Sequence, residues 1–282
     1  MAKISMLFPG GKAKALTLSY DDGIIADSHL IPIMKKYGLK GTFNLSSGLF
    51  SKEGQICPEG EIYRRMTIQE SIELYSDSGM EIAAHGLTHP VLDRLDKETC
   101  TYEIAQDRKQ LESYFNRIVQ GLAYPFGACS QMVIECAHNS GIVYARTAGS
   151  SHNFDLPSNW MLWTGTCHHD DPMLHDLVNK FIIECPQDDP WLFYLWGHSY
   201  EFDEKNNWDR IEWFAQTIGG VHNIWYATNI DIYSYVEAYK QMEVFDNEKT
   251  IYNPTEYTLY YRVKSTTGWK SDSIQPGQTK TL

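Results

Sequence analysis

Three stretches of this chain place residues suited to metal and acid–base chemistry directly after apolar runs. The first is Leu16-Thr17-Leu18-Ser19-Tyr20-Asp21-Asp22-Gly23. Residues 15–20 read as a short strand, and two carboxylates follow at its carboxyl end, with a glycine to turn the chain. Adjacent aspartates repel, and both stay ionised only where a cation or hydrogen-bond donors compensate. The pattern suits a metal site with a spare carboxylate, although Asp-Gly is also a common turn signal and the octapeptide alone reads more readily as a polar turn. The second stretch is His85-Gly86-Leu87-Thr88-His89, whose spacing brings two imidazoles to one metal on a helical turn or tight loop. With ten histidines in the chain such pairs arise by chance, so the force of this one is its position after a strand end. The third is Leu195-Trp196-Gly197-His198, where a lone histidine would read as a core residue satisfied by backbone. On the same face as the other two stretches it suits a general acid or base.

The elements that position these residues alternate. After the strand at 15–20, Asp27 or Ser28 caps a helix ended by Gly38, and a strand follows at 39–45. Residues 46–65 read as a loop or insertion. Thr67 and Glu70 form a capping box for a helix reaching Ser78. A strand at 80–84 delivers the histidine pair. A long helix at 97–115, a strand at 118–124, a helix at 130–140 and a strand at 142–146 come next. Residues 151–171 read as loop, rich in His, Trp and Asp. Helix returns at 176–184, strand at 191–196, helix at 208–218, strand at 224–227 and helix at 232–239. Such alternation predicts an α/β fold with parallel strands, and its length suits a distorted (β/α) barrel spanning 1–245. The strand ends of such a fold share one face, which is where all three chemical stretches fall. From about Asp246 the pattern changes: 257–263 alternates, Thr266-Thr267-Gly268 reads as a turn, and 246–282 is expected to be a small β extension on the barrel or a neighbouring subunit.

Composition narrows the partners. The chain has 282 residues, is 43% hydrophobic and 21% charged, and carries a net charge of −12, which argues against nucleic acid or an anionic membrane surface. No early segment reads as a signal peptide and no run is long enough to span a bilayer, so a cytoplasmic protein is expected. The six cysteines form no C-x-x-C pair and read as structural free thiols.

Ser19-Tyr20-Asp21-Asp22-Gly23 is similar to the first motif of the polysaccharide deacetylases, the NodB-homology group known as carbohydrate esterase family four. His85-Gly86-Leu87-Thr88-His89 resembles the second motif, Ala123-Tyr124-Pro125-Phe126-Gly127 the third, and Leu195-Trp196-Gly197-His198 the last, in the family's order over residues 16–238. The resemblance implies a distorted (β/α) barrel and a metal-dependent deacylase. Asp22, His85 and His89 would hold the metal, and Asp21 would be the base that takes a proton from metal-bound water. The backbone N–H of Phe126 would help bind the oxyanion, and His198 would protonate the leaving amine. Zinc is the expected ion, with cobalt, manganese, iron or nickel compatible with two histidines and one aspartate.

The chain departs from the family at three places. Gly86 stands where Ser or Thr is usual, leaving Thr88 as a substitute for the loop's internal hydrogen bond. Ala123 replaces an arginine that pairs with the base, and Arg146 is a candidate to supply that charge. The fourth motif is not clear, its place being taken by 160–171 with Trp163, His168, His169, Asp170 and Asp171. This histidine–aspartate run is read as cleft lining or a solvated loop in preference to a second metal site. Trp163 and Trp196 are the candidates for stacking on a sugar, while Trp191 and Trp213 read as core. The expected substrate is an acetylated amino sugar or glycan. A small-molecule amidase or imidase, an O-acetyl esterase and a non-catalytic carbohydrate-binding protein are the alternatives, and homo-oligomerisation stays open.

Overall fold

In a computed structural model, which describes residues 3–245, 249–266 and 268–282, nine parallel strands carry the three chemical stretches. The chain enters through β1 (Ile4–Leu7). It then builds β2 (Lys14–Asp21), α1 (Asp27–Lys36), β3 (Gly41–Leu45), α2 (Ile68–Tyr75), β4 (Glu81–Ala84) and α3 (Lys97–Phe115). Next come β5 (Gly121–Ala123), α4 (Gln131–Asn139), β6 (Tyr144–Ser150), β7 (Trp163–Gly165), β8 (Cys167–His168) and α5 (Leu174–Ile183). The series closes with β9 (Trp191–His198), α6 (Tyr200–Glu204), α7 (Trp208–Ile218), β10 (Ile224–Tyr226) and α8 (Asn229–Lys240).

The strand order is β7-β6-β5-β4-β3-β2-β9-β8, with β10 paired to the start of β2. The two ends of this path, β7 and β8, are separated in sequence only by Thr166, whose N–H donates to the Tyr194 carbonyl of β9 at 2.8 Å. Chain continuity thus brings the sheet's edges together, and the fold is a distorted (β/α) barrel. Along β2, Leu16, Leu18 and Tyr20 join the core shared with Leu30 and Met34 of α1 and Ile104 of α3. Thr17, Ser19 and Asp21 alternate onto the other face, as the two-residue period of a strand requires. There Thr17 Oγ1 donates to Asn229 Oδ1 at 2.8 Å, and Ser19 accepts from Asn44 at 2.8 Å.

Capping starts the helices that buttress the site. Thr67 and Glu70 form the expected box at α2, and Asp96 accepts the N–H of Thr99 to begin α3. Asn116 ends α3 in the left-handed region, at φ 50°. Among the described residues no helix is long and apolar enough to cross a membrane.

Two sequence expectations shift. The strand placed at 142–146 runs on to Ser150, and the stretch 151–171 is not only loop, since it contains β7 and β8. Strands of two or three residues are too short to show a period. After α8 come β11 (Glu243–Val244), β12 (Thr250–Tyr252), β13 (Leu259–Ser265), β14 (Gly268–Ile274) and β15 (Thr279–Thr281). β13 pairs antiparallel with both β14 and β1, and β12 with both β11 and β15. Ile251, Leu259, Tyr261 and Ile274 bury against Phe8 and Tyr235. The expected boundary at Asp246 and the turn residue Thr267 lie outside the described residues.

Candidate active site

The register of β2 places Asp21 level with Asn44 of β3 and with His198 of β9. All three side chains therefore emerge at one end of the barrel. Asp21 is buried. Its Oδ1 accepts from Asn44 Nδ2 at 2.7 Å, and its Oδ2 accepts from Nη2 of Arg146, which reaches over from β6. Burial alone would push this carboxyl up, but the Arg146 guanidinium foremost, with His85 and His198 beside it, outweighs burial and holds its pKa at about 2. Arg146 is itself buried, with its guanidinium 4.7 Å over the Trp196 ring. The charge missing at Ala123 is thus supplied to Asp21 from the next strand.

Asp22 sits at φ 83°, a conformation that side chains rarely adopt. Arg65 holds it there: Nη1 donates to the Asp22 carbonyl at 2.6 Å and Nη2 to Oδ1 at 3.0 Å. The same oxygen is 3.7 Å from His89 Nε2, and that nitrogen is 3.1 Å from His85 Nε2. His85 Nδ1 lies 2.7 Å from the Ala123 carbonyl, which can only accept, so the ring's proton is on Nδ1 and Nε2 presents a lone pair. Burial lowers the pKa of His85, and burial together with the neighbouring His85 brings His89 to about 4. Both rings are therefore neutral donors. One donor atom from each of Asp22, His85 and His89 lies within 4.8 Å of the others. Two imidazole nitrogens and one carboxylate oxygen at this spacing fit a divalent metal, and they leave positions open for other ligands.

The histidine loop is held from α3. Asp107 Oδ2 accepts the N–H of His85 at 2.8 Å, and its Oδ1 accepts from Ser47 N and Oγ, each at 2.7 Å. Glu103 accepts from both the N–H and the hydroxyl of Thr88, at 2.8 and 2.9 Å. Thr88 thus bonds outward to the helix and not within the loop. Gly86 adopts φ 76°, and a Cβ there would meet Pro90 and Pro125, which accounts for glycine at a position where the family has Ser or Thr. His89 at φ 55° and Phe126 at φ 58° complete a set of three strained non-glycine residues around one cavity.

That cavity, of about 280 Å³, is lined by eight of the nine candidate residues, with Tyr200 added at its edge. Trp163 is the exception. It is 1% exposed and packs edge-on against Tyr144 and Tyr194, at 5.5 and 4.9 Å, so it is a core residue and not a sugar platform. Nor is the histidine–aspartate run a solvated loop: His169 is buried, and it clusters with His168, Asp170 and Glu201 behind His198. Sequence reasoning missed Arg65, Asn44 and Glu201. Asn44 on a strand beside Ser19-Tyr20-Asp21 was the one legible signal, since a polar residue ending an apolar strand invites a polar partner.

Fold and site together define an α/β barrel carrying a two-histidine, one-carboxylate donor set beside a buried, ionised aspartate. Residues 9–145 match the polysaccharide deacetylase family model. No curated protein matches the sequence. A crystal structure from Mycobacterium smegmatis, assigned to the polysaccharide deacetylases, is 15% identical, with a TM-score of 0.56 over 83% of this chain and 93% of that one. This likeness shows the fold. A family 4 carbohydrate esterase from Streptomyces lividans in complex with acetate is 15% identical, with a TM-score of 0.49 over 75% of this chain and 90% of that one. The Streptococcus pyogenes deacetylase PplD, also with acetate, is 23% identical with a TM-score of 0.42; the match covers 47% of this chain and 55% of that chain.

Proposed function

We propose that the protein is a metal-dependent hydrolase that removes N-acetyl groups from an amino sugar or glycan. The observation that carries this reading is the register pairing of Asp21 with His198, whose Nε2 and Oδ2 are 3.8 Å apart beside the Asp22, His85 and His89 donor set. Bound there, a divalent cation would supply Lewis acidity, polarising an acyl group and acidifying water. The chain's own residues account for the proton traffic. Asp21, kept ionised by Arg146, accepts a proton in the cavity. The pKa of His198 is raised, because Glu201 and Asp21 outweigh the opposing effect of burial, which favours the protonated ring that an acid needs. An amine leaves poorly unless protonated, whereas an alcohol leaves more readily, and a histidine placed on the cavity wall to give a proton therefore favours an amide substrate over an ester. The backbone N–H of Phe126, at the cavity mouth, is the candidate donor to the oxyanion, and the exposed Phe126 ring and Trp196 offer apolar surface to a sugar.

The test is bound metal measured together with acetate release from N-acetylglucosamine oligomers and from an acetylated ester, for wild type and His85→Ala. One metal per chain, with release from the amide abolished in the variant, is expected. Metal without release from either compound would move the reading to a small amide or imide. No metal after reconstitution would overturn the mechanism and leave a carbohydrate-binding protein.

A further inference from the structure

Two clusters of nearly the same composition lie close together, Asp22/His85/His89 and His168/His169/Asp170/Glu201. Their imidazoles are wired in opposite senses. His85 gives its Nδ1 proton to a carbonyl and keeps a lone pair on Nε2. His168 Nδ1 instead accepts the backbone N–H of Asp170 at 3.1 Å, so its proton is on Nε2, which faces Glu201 Oε2 at 3.0 Å. A nitrogen that carries a proton cannot ligate a metal. Asp170 is also taken: Lys205 bonds its Oδ2, while Asn207 Nδ2 and Arg210 Nε lie 3.4 and 3.5 Å from its Oδ1. A cation placed here would meet two positive side chains. The second cluster is a hub of histidines set at ion-pair distance around one carboxylate.

The hub is rigid. His169 Nε2 lies 3.0 Å from the same Glu201 oxygen, and its ring is stacked on Phe202 at 4.2 Å and on Tyr20 at 5.8 Å. It occupies the space that a side chain at Gly197 would take, since a Cβ there would fall 2.1 Å from His169 Nδ1. The other Glu201 oxygen, Oε1, faces His198 Nδ1 at 3.5 Å, and the His198 N–H points to Oε2 at 3.4 Å. At 3.5 Å the side-chain contact is an ion-pair distance, of the kind that tightens when a catalytic ring becomes charged. Across the ring, His198 Nε2 faces Asp21. The His168 ring at 6.3 Å and the Tyr200 ring at 5.3 Å complete its surroundings.

We propose that Glu201 is a positioning residue: flanked on Oε2 by His168 and His169, it presents Oε1 as the acceptor that faces the Nδ1–H of His198 and so turns Nε2 of that ring into the cavity. The proposal rests on the reading of His198 as the acid, but its structural content can be measured without turnover. In the zinc-loaded protein with ¹⁵N-labelled histidine, neutral His198 is expected as the Nδ1–H tautomer and His168 as the Nε2–H tautomer. Glu201→Ala should mix the His198 tautomers and lower kcat about 10²-fold, with KM little changed. Glu201→Asp should recover part of kcat and most of the tautomer preference, and metal content should stay at one per chain in both. His168→Gln, at a partly exposed position, is the second variant should Glu201→Ala fail to fold, and is expected to shift the His198 tautomer in the same direction but less. An unchanged His198 tautomer in these variants would overturn the proposal. So would a second metal equivalent in wild type that disappears in Glu201→Ala. If no substrate is turned over, the deacetylase reading fails, while the tautomer result still decides the role of Glu201.

Discussion

Arg146 Nη2 donates to Asp21 Oδ2 between two side chains that are each at most 4% exposed, across 125 residues of sequence. Without Arg146 the buried Asp21 keeps only the looser contacts of His198 and His85, at 3.8 and 3.9 Å, so removing the guanidinium leaves the carboxylate poorly compensated. Arg146→Met is therefore expected to destabilise the protein by about 3–5 kcal/mol, measured by urea denaturation. Adding Asp21→Asn should recover most of that loss, because the stranded carboxylate is gone, while neither variant hydrolyses substrate. The pair also has a pH signature. Asp21 is held at about 2 against an ordinary 3.8, so its stabilising contribution is present above the ordinary value and is lost as pH falls toward 2. Equal stability of Arg146→Met with and without Asp21→Asn would show that the pair is not the electrostatic unit inferred from its geometry.

Arg65 bonds both the carbonyl and the carboxylate of Asp22, at a backbone conformation that costs energy to hold. Two effects compete in Arg65→Ala. Losing a cation next to a donor oxygen should favour metal, and losing the clamp should let the carboxylate drift. Partners that orient a ligand are typically worth about 10–100-fold in metal affinity, and with two bonds to one residue the clamp is expected to win. Metal affinity should fall by about 10-fold or more in chelator competition. A rise would mean that charge repulsion dominates and that Arg65 attenuates the site.

Gly86 answers to backbone geometry. Its φ of 76° and the approach of Pro90 Cδ at 3.2 Å and Pro125 Cγ at 3.4 Å leave no room for a side chain without strain. Gly86→Ser restores the residue type that the family motif favours, yet in this chain it should destabilise by about 1–3 kcal/mol in denaturation and weaken metal binding. The reason is that Thr88 and the His85 N–H are already held from α3 by Glu103 and Asp107. A Gly86→Ser protein as stable as wild type would show that the loop can adopt another path.

What the sequence made legible, and what it hid, follows from range. Asp21, Asp22, His85, His89 and His198 each follow an apolar run, and parallel strands converge at one end, so their gathering could be expected from local pattern. Arg65 lay in a stretch with no period, and its contact with Asp22 depends on how that loop folds back. Glu201 reads locally as an acidic residue in the first turn of α6, where a carboxylate is ordinary, and nothing local announces three histidines around it. Trp163 failed for a different reason. On β7 it and Gly165 face inward while Thr164 faces out, and three residues are too few to say which face is which.

Asp27 lets burial be tested at a carboxyl outside the metal donor set. It opens α1 fully buried, with the Tyr75 hydroxyl donating to its Oδ2 at 2.6 Å. Burial raises its pKa from 3.8 to about 7; the nearby Ser199 hydroxyl and the Tyr75 hydrogen bond oppose the rise, and the charges of Asp22 and Asp21 add to it. The sign is then fixed. The folded state keeps this proton while the unfolded chain gives it up, so the contribution to stability is full below 3.8 and is lost as pH rises through about 7. Asp27→Asn is neutral at every pH and can still accept from Tyr75, so it does not suffer that loss. Relative to wild type it should gain stability from acid to about pH 8, by on the order of a few kcal/mol, since each tenfold change in proton affinity is worth about 1.4 kcal/mol. Urea midpoints of the two proteins at both ends of that range decide it: a constant difference would mean that Asp27 is ionised in the folded protein, and that the packing of α1 against Tyr75 admits a charge.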